Sequence, residues 1–99
     1  MTLHETQELI RTTFGAKDAQ RGSAGTFMWF MQEVGELATA LRNGTHEEQM
    51  LEFADVLAWL ATLANIAGVD LDEAMRVKYG GGCPVCRHVP CSCGTAEKP

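Results

Sequence analysis

Positive charge is scarce in this sequence: eight lysines and arginines stand against thirteen aspartates and glutamates, a net charge of −5. A surface for nucleic-acid polymers needs a basic stripe, so the charge argues against that class of partner, while a small phosphorylated ligand held through a metal stays compatible with it. Cysteine is absent before residue 83, and all four cysteines crowd into Cys83-Pro-Val-Cys86-Arg-His-Val-Pro-Cys91-Ser-Cys93. The opening segment, Met1-Thr-Leu-His-Glu-Thr-Gln-Glu, has none of the basic and apolar character of a signal peptide, which makes a cytoplasmic location the expectation. Between Met50 and Val69 the only charges are Glu52 and Asp55. That run has the length and apolarity of a membrane span, but two carboxylates at membrane depth are costly, and a buried bundle helix is the better reading.

With 99 residues the chain forms one small domain, whose stability calls for a partner subunit or a metal. Thr2 with Glu5 has the form of a capping box, and Leu3, Leu9, Ile10 and Phe14 outline a first helix to about Phe14. Gly15 to Gly25 holds three glycines and no apolar period, which predicts a loop. Its Lys17 and Arg21 can reach a phosphate if the loop folds over the acidic residues, although a solvated loop is the more frequent case. Ser23 or Thr26 is placed to cap a second helix, whose core stripe is Phe27, Phe30, Met31, Val34, Leu37, Ala38 and Leu41. Asn43-Gly44 is a helix stop tolerant of left-handed geometry. Thr45 with Glu48 is a second capping box that starts a third helix, Gly68 ends it, and Asp70 with Glu73 is a third capping box that starts a short fourth helix ending near Tyr79.

If Asn43-Gly44-Thr45 turns a helical hairpin, residues whose numbers sum to 88 lie at one height. Glu33 then faces the level of Asp55, and Glu36 that of Glu52, while the spacing of three within each pair keeps both carboxylates on one helix face. Four such charges repel unless cations lie among them, and carboxylate oxygens suit Mg²⁺. No Lys or Arg lies in the third helix to pair with Glu52 and Asp55, which sets a metal site above a purely structural network. Trp29 and Trp59 also sum to 88; either can stack on a nucleobase, or both are large core residues. Thr62 and Asn65 continue the polar edge of the third helix, Asn65 as a candidate substrate contact or both as hydrogen-bonded core groups. The third helix is apolar on nearly every side, so it is expected to pack on its hairpin partner and on another subunit.

Three segments resemble the MazG-like nucleotide pyrophosphohydrolases of the all-alpha NTP pyrophosphatase superfamily: Gln32-Glu-Val-Gly-Glu-Leu37, Glu52-Phe-Ala-Asp55-Val-Leu, and Asn65-Ile-Ala-Gly-Val-Asp-Leu-Asp-Glu-Ala74 with Lys78. The family motif is Glu-Glu-x-x-Glu followed by Glu-x-x-Asp, and the resemblance covers about residues 20 to 80. It implies hydrolysis of a nucleoside triphosphate to the monophosphate and pyrophosphate, with Mg²⁺ on Glu33, Glu36, Glu52 and Asp55, and Lys78 on a phosphate. Glu33 and Glu36 are the first candidates for orienting the attacking water. Gln32 stands where many members carry the first glutamate; an amide is a poorer ligand and no base, so a role of that carboxylate in an extra metal site or in water activation does not transfer.

The tail pattern Cys-x-x-Cys-x4-Cys-x-Cys suits tetrahedral Zn²⁺ on Cys83, Cys86, Cys91 and Cys93, with His88 able to replace one thiolate; reduced bystander thiols and disulfides are the alternatives. The expectation is therefore an all-α protein, a helical hairpin with short flanking helices that assembles into a four-helix-bundle-like homodimer or homotetramer. Its domain spans residues 1–79 and a Gly/Cys-rich tail spans 80–99. The expected activity is Mg²⁺-dependent nucleotide pyrophosphohydrolysis in nucleotide-pool house-cleaning. A narrower dUTP, dCTP or phosphoribosyl-ATP activity, or a non-catalytic zinc-dependent interaction module, are the rivals. A di-iron carboxylate bundle is disfavoured, because no His follows the acids at the required spacing.

Overall fold

The computed structural model describes residues 1–95; residues 96–99 of the 80–99 tail lie outside the described residues. The described residues are all helical where regular: α1 (Leu3–Asn43), α2 (His46–Ala67) and α3 (Leu71–Tyr79), followed by turns. The three N-caps fall where the sequence places them, but only the first is a complete capping box. Thr2 Oγ1 accepts from Glu5 N while Glu5 accepts from Thr2 N, a full capping box. Thr45 and Asp70 each accept from the amide three residues on, Glu48 and Glu73, without the return bond. Each such cap contributes about 1 kcal/mol. Gly68 closes α2 in left-handed geometry, with its amide on Asn65 O and that of Val69 on Ala64 O.

The expected break between two N-terminal helices is not a loop. Residues 15–25 are helical except at Gly22, whose φ of +79° and ψ of 174° divide α1 into two helical segments that meet at a kink, so the two expected helices are present but a single residue and not a loop joins them. Neither Ser23 nor Thr26 caps a new helix; Thr26 is instead fully buried inside α1. Three polar side chains hold this segment. Asp18 is 5% exposed and accepts from Arg21 Nη1 at 3.0 Å and from Thr62 Oγ1 of α2 at 3.1 Å. The inward face of this stretch is polar, so it carries no apolar period, and a count of glycines mistakes it for a loop. Gly25 also serves the kinked helix: a Cβ there would stand 3.0 Å from Arg21 Cγ, so the missing side chain leaves room for the arginine stem.

The hairpin turn differs from expectation in its backbone. Gly44 is extended, at φ −85° and ψ 166°, and not left-handed. A glycine belongs there because of close approach, since a Cβ would lie 2.8 Å from Ala40 O and 3.0 Å from Ala40 Cα. Gln49 Nε2 braces the turn by donating to Ala40 O at 3.1 Å.

The supposed core stripe is largely open in the single chain. Phe27, Met31 and Leu41 are each about half exposed, Ala38 is exposed, and Phe30, Val34 and Leu37 are half-buried. In α2 only Ala61, Thr62 and Ala64 are buried. By length and composition α2 could cross a membrane. Two helices cannot enclose side chains that point away from their shared seam, so the apolar pattern exceeds what the hairpin buries. At the far end, polar bonds do the joining. Gln7, buried, donates to Asn65 Oδ1 and Val69 O and accepts from Leu71 N at 2.7 Å. His4 N donates to Asp72 Oδ2, and the His4 ring meets Asp70 at 3.2 Å, which fixes α3 against the start of α1.

Candidate active site

The hairpin brings together the two levels that the numbering implies. Trp29 and Trp59 stack with centroids 6.2 Å apart and planes 16° from parallel. One layer nearer the turn, Glu33, Glu36 and Glu52 offer carboxylate oxygens that all lie within 4.8 Å of one another. Asp55 stands outside this trio. Its arm is one methylene shorter than a glutamate's, and it lines the adjoining cavity, although its charge still acts on both Glu33 and Glu52.

The electrostatics are those of uncompensated anions. Burial first, then a hydrogen bond and the charge of Glu36, then Asp55 and Glu52, push the Glu33 carboxyl up to about 7. Burial, then Glu36 and Asp55, holds Glu52 above the usual carboxylate range. Glu33 Oε2 and Glu52 Oε2 are buried atoms without a hydrogen-bond partner. A buried carboxylate oxygen without a donor is costly. Two of them in one cluster, with no Lys or Arg paired to it among the described residues, fit a hard divalent cation.

Two cavities flank the cluster. The one toward the turn is lined by Glu36, Glu48 and Glu52, with no cation among the described residues. The other, of about 250 Å³, is bounded by Phe14, Lys17, Asp18, Arg21, Asp55 and Trp59 among others. Arg21 is held there by Asp18 and lies 4.8 Å over the Trp59 ring. The helical segment before the Gly22 kink thus places Lys17 and Arg21 on the cavity that Asp55 also lines.

A model of the MazG nucleotide pyrophosphohydrolase domain matches residues 21–79. A dATP/dGTP diphosphohydrolase of Cyanophage S-2L is 36% identical over 77 residues, covering 78% of this chain and 70% of that protein. The chain belongs to the MazG nucleotide pyrophosphohydrolases. Membership in this MazG family makes it a nucleotide pyrophosphohydrolase and sets aside the reading as a non-catalytic module.

Other residues singled out in the sequence lie elsewhere. Asn65 is engaged with Gln7, donating to its carbonyl at 3.0 Å, and so fastens α2 to α1. Lys78, near the end of α3, sits 5.5 Å from the Tyr79 ring and does not line the cavity beside the carboxylates. Gln32 is exposed. Asp18 is the residue that sequence reasoning missed; its only signal was an i, i+3 relation to Arg21 inside an apparent loop. In the tail, the four Sγ atoms lie within 4.8 Å of one another, and all four cysteines are free. Hydrogen bonds from Ser92 lower the Cys86 thiol to about 5, whereas sharing a proton with Cys91 pushes Cys93 up to about 12.

Proposed function

We propose that this MazG protein is a Mg²⁺-dependent enzyme that cleaves nucleoside triphosphates to the monophosphate and pyrophosphate, with purine deoxynucleotides as its substrate class. The observation that carries the metal assignment is the pair of unpartnered buried oxygens on Glu33 and Glu52, within a trio of converging carboxylates. Glu33, Glu36, Glu52 and Asp55 would hold Mg²⁺, which when bound supplies charge neutralisation for the phosphates and acidifies water. The purine preference is carried over from the dATP/dGTP diphosphohydrolase that the chain resembles.

The chain's own residues support the rest of this reading. The cavity on the Trp59 side carries Lys17 and Arg21 and the cavity on the turn side is acidic, so the triphosphate enters from the Trp59 side. Arg21 is fixed by Asp18 and by Trp59, and it meets phosphate oxygens without a large loss of side-chain freedom. At about 250 Å³ the cavity falls below the ~300–1,000 Å³ of sites that enclose a whole drug-sized ligand, so it takes the phosphate end and leaves the nucleoside at its rim. Trp29, 47% exposed, provides the aromatic surface on which a base stacks there. Glu33, whose carboxyl is pushed up to about 7 by burial and by Glu36, is the candidate for taking a proton from the attacking water, with Glu36 beside it.

The exposed apolar faces of α1 and α2 support assembly into a homodimer or homotetramer, in which they would become the bundle core. A cytoplasmic location, near the nucleotide pool, goes with this reading. A panel of ribo- and deoxynucleoside triphosphates with Mg²⁺, scored for pyrophosphate, tests it beside Glu52→Gln. The expected result is turnover highest on dATP or dGTP and reduced at least ~100-fold in the variant, with its helical CD spectrum unchanged. Equal turnover by Glu52→Gln would remove Glu52 from the site, and preference for dUTP, dCTP or phosphoribosyl-ATP would overturn the substrate class.

A further inference from the structure

We propose that Cys83, Cys86, Cys91 and Cys93 form a tetrathiolate site for one structural zinc ion per chain, placed directly after α3 and independent of the hydrolase centre. This segment lies beyond residues 21–79 that match the MazG domain, so it is an addition to the catalytic unit.

The sulfur geometry comes first. Cys83 Sγ lies 3.9 Å from Cys93 Sγ, Cys86 Sγ lies 3.9 Å from Cys91 Sγ, and all four fall within 4.8 Å of one another. A tetrahedron with Zn–S bonds of about 2.3 Å has edges of about 3.8 Å. Four side chains from two separate turns therefore converge at the spacing of a ZnS₄ centre.

The amides around them point the same way. Val85 N donates to Cys83 Sγ at 3.4 Å, Ser92 N to Cys86 Sγ at 3.3 Å and Cys93 N to Cys91 Sγ at 3.3 Å. A neutral thiol is a weak acceptor, whereas a metal-bound thiolate takes amide donors well and is oriented by them. The backbone is folded to permit this. Cys83 N donates to His88 O at 3.1 Å, Arg87 N donates to Cys83 O at 2.7 Å, and Arg87 adopts φ +64°. Gly82, at φ +96°, lies so close to the returning chain that a Cβ would meet Val89 Cγ2 at 2.6 Å and His88 O at 2.7 Å. Among the described residues nothing apolar holds this fold: Cys83 is the one buried hydrophobic residue of the segment, while Val85 and Val89 are 64% and 83% exposed. A loop of this size with so little burial needs a cross-link, and a zinc ion supplies it.

The ligand set is closed. His88 is turned away, its Nδ1 2.6 Å from Ser92 Oγ, so the fourth ligand is a thiolate and not an imidazole. Four thiolates leave no position for water or substrate, which makes the ion structural. On loading, thiol protons pass to solvent and no electron is transferred. Through Gly82 N, which donates to Tyr79 O at 2.9 Å, the closed loop is continuous with the end of α3.

The test is zinc content and Co²⁺ spectroscopy on the full chain, purified under reducing conditions, with Cys86→Ser, Cys91→Ser and His88→Ala. One zinc per chain, a cobalt spectrum with thiolate charge-transfer and intense tetrahedral bands, loss of the metal in both serine variants and its retention in His88→Ala are expected. The proposal is overturned by zinc well below one per chain after reconstitution, by a wild-type cobalt spectrum without thiolate charge transfer, by loss of metal in His88→Ala, or by a mass showing two disulfides in the protein as isolated from reducing cytoplasm. Because the cobalt spectrum is read on the wild type, a serine variant that misfolds does not blunt the test.

Discussion

Replacing Glu33 by Gln should stabilise the protein without metal and weaken it, relative to wild type, with metal. The Gln side chain keeps the size of Glu33 and can donate to the neighbouring carboxylates, but it removes one of the crowded charges. A carboxyl raised from 4.5 to about 7 by burial and by Glu36, Asp55 and Glu52 is better off protonated in the fold than in the unfolded chain. That advantage is complete below pH ~4.5 and is lost as pH climbs through about 7. At face value the displacement is worth about 3 kcal/mol, and solvent screening at a site that reaches the surface reduces this to about 1 kcal/mol. For a domain of 99 residues, about 1 kcal/mol moves Tm by about 4 °C. In EDTA at pH 8, Glu33→Gln should therefore melt about 4 °C above wild type, and the two should converge toward pH 4.5. Magnesium at about 100 times its Kd adds about 2.7 kcal/mol to a protein that binds it in the folded state alone. Wild type should gain that increment and the variant little of it, so the order of melting temperatures reverses. Thermal melts followed by CD, in EDTA and in Mg²⁺ across pH 4.5 to 8, measure both effects. A variant less stable than wild type in EDTA at pH 8, with equal magnesium gains in the two proteins, would mean that the carboxylates form a structural network and not a cation site.

The other predictions concern the polar anchors. Asp18→Ala leaves Arg21 without its partner and Thr62 Oγ1 without its acceptor; it should lower stability by about 1–3 kcal/mol in chemical denaturation and raise KM for the triphosphate more than it lowers kcat. Gln7→Ala removes the bonds to Asn65, Val69 and Leu71, so hydrogen exchange at the α2–α3 junction should speed up and stability fall by about 2–3 kcal/mol, with turnover of the folded enzyme unchanged well below Tm. Substitution of Cys86 by Ser, which disturbs only the tail, should leave nucleotide turnover within about twofold of wild type in a steady-state assay.

Local chemistry is what the sequence alone determined. The caps at Thr2, Thr45 and Asp70 act over three residues, and the stop at Gly68 acts over one turn, so each is legible from its own neighbours. A turn at residues 43–45 then dictates by helical rise alone that Trp29 meets Trp59 and that acids of the two helices share a level. Tertiary structure decided whatever depended on partners distant in sequence. Thr62 of α2 reaches across to Asp18 and joins Arg21 in anchoring the helical segment that runs up to the Gly22 kink, overriding the composition of a loop. The extended backbone of Gly44 follows from the approach of Ala40, and Gln7 was called by no local pattern because its partners stand 58 or more residues away. Hydrogen bonds and Coulomb forces act between atoms that are near in space. A pattern in the chain announces them only where the backbone between those atoms is already regular, as it is within a helix and across a tight hairpin.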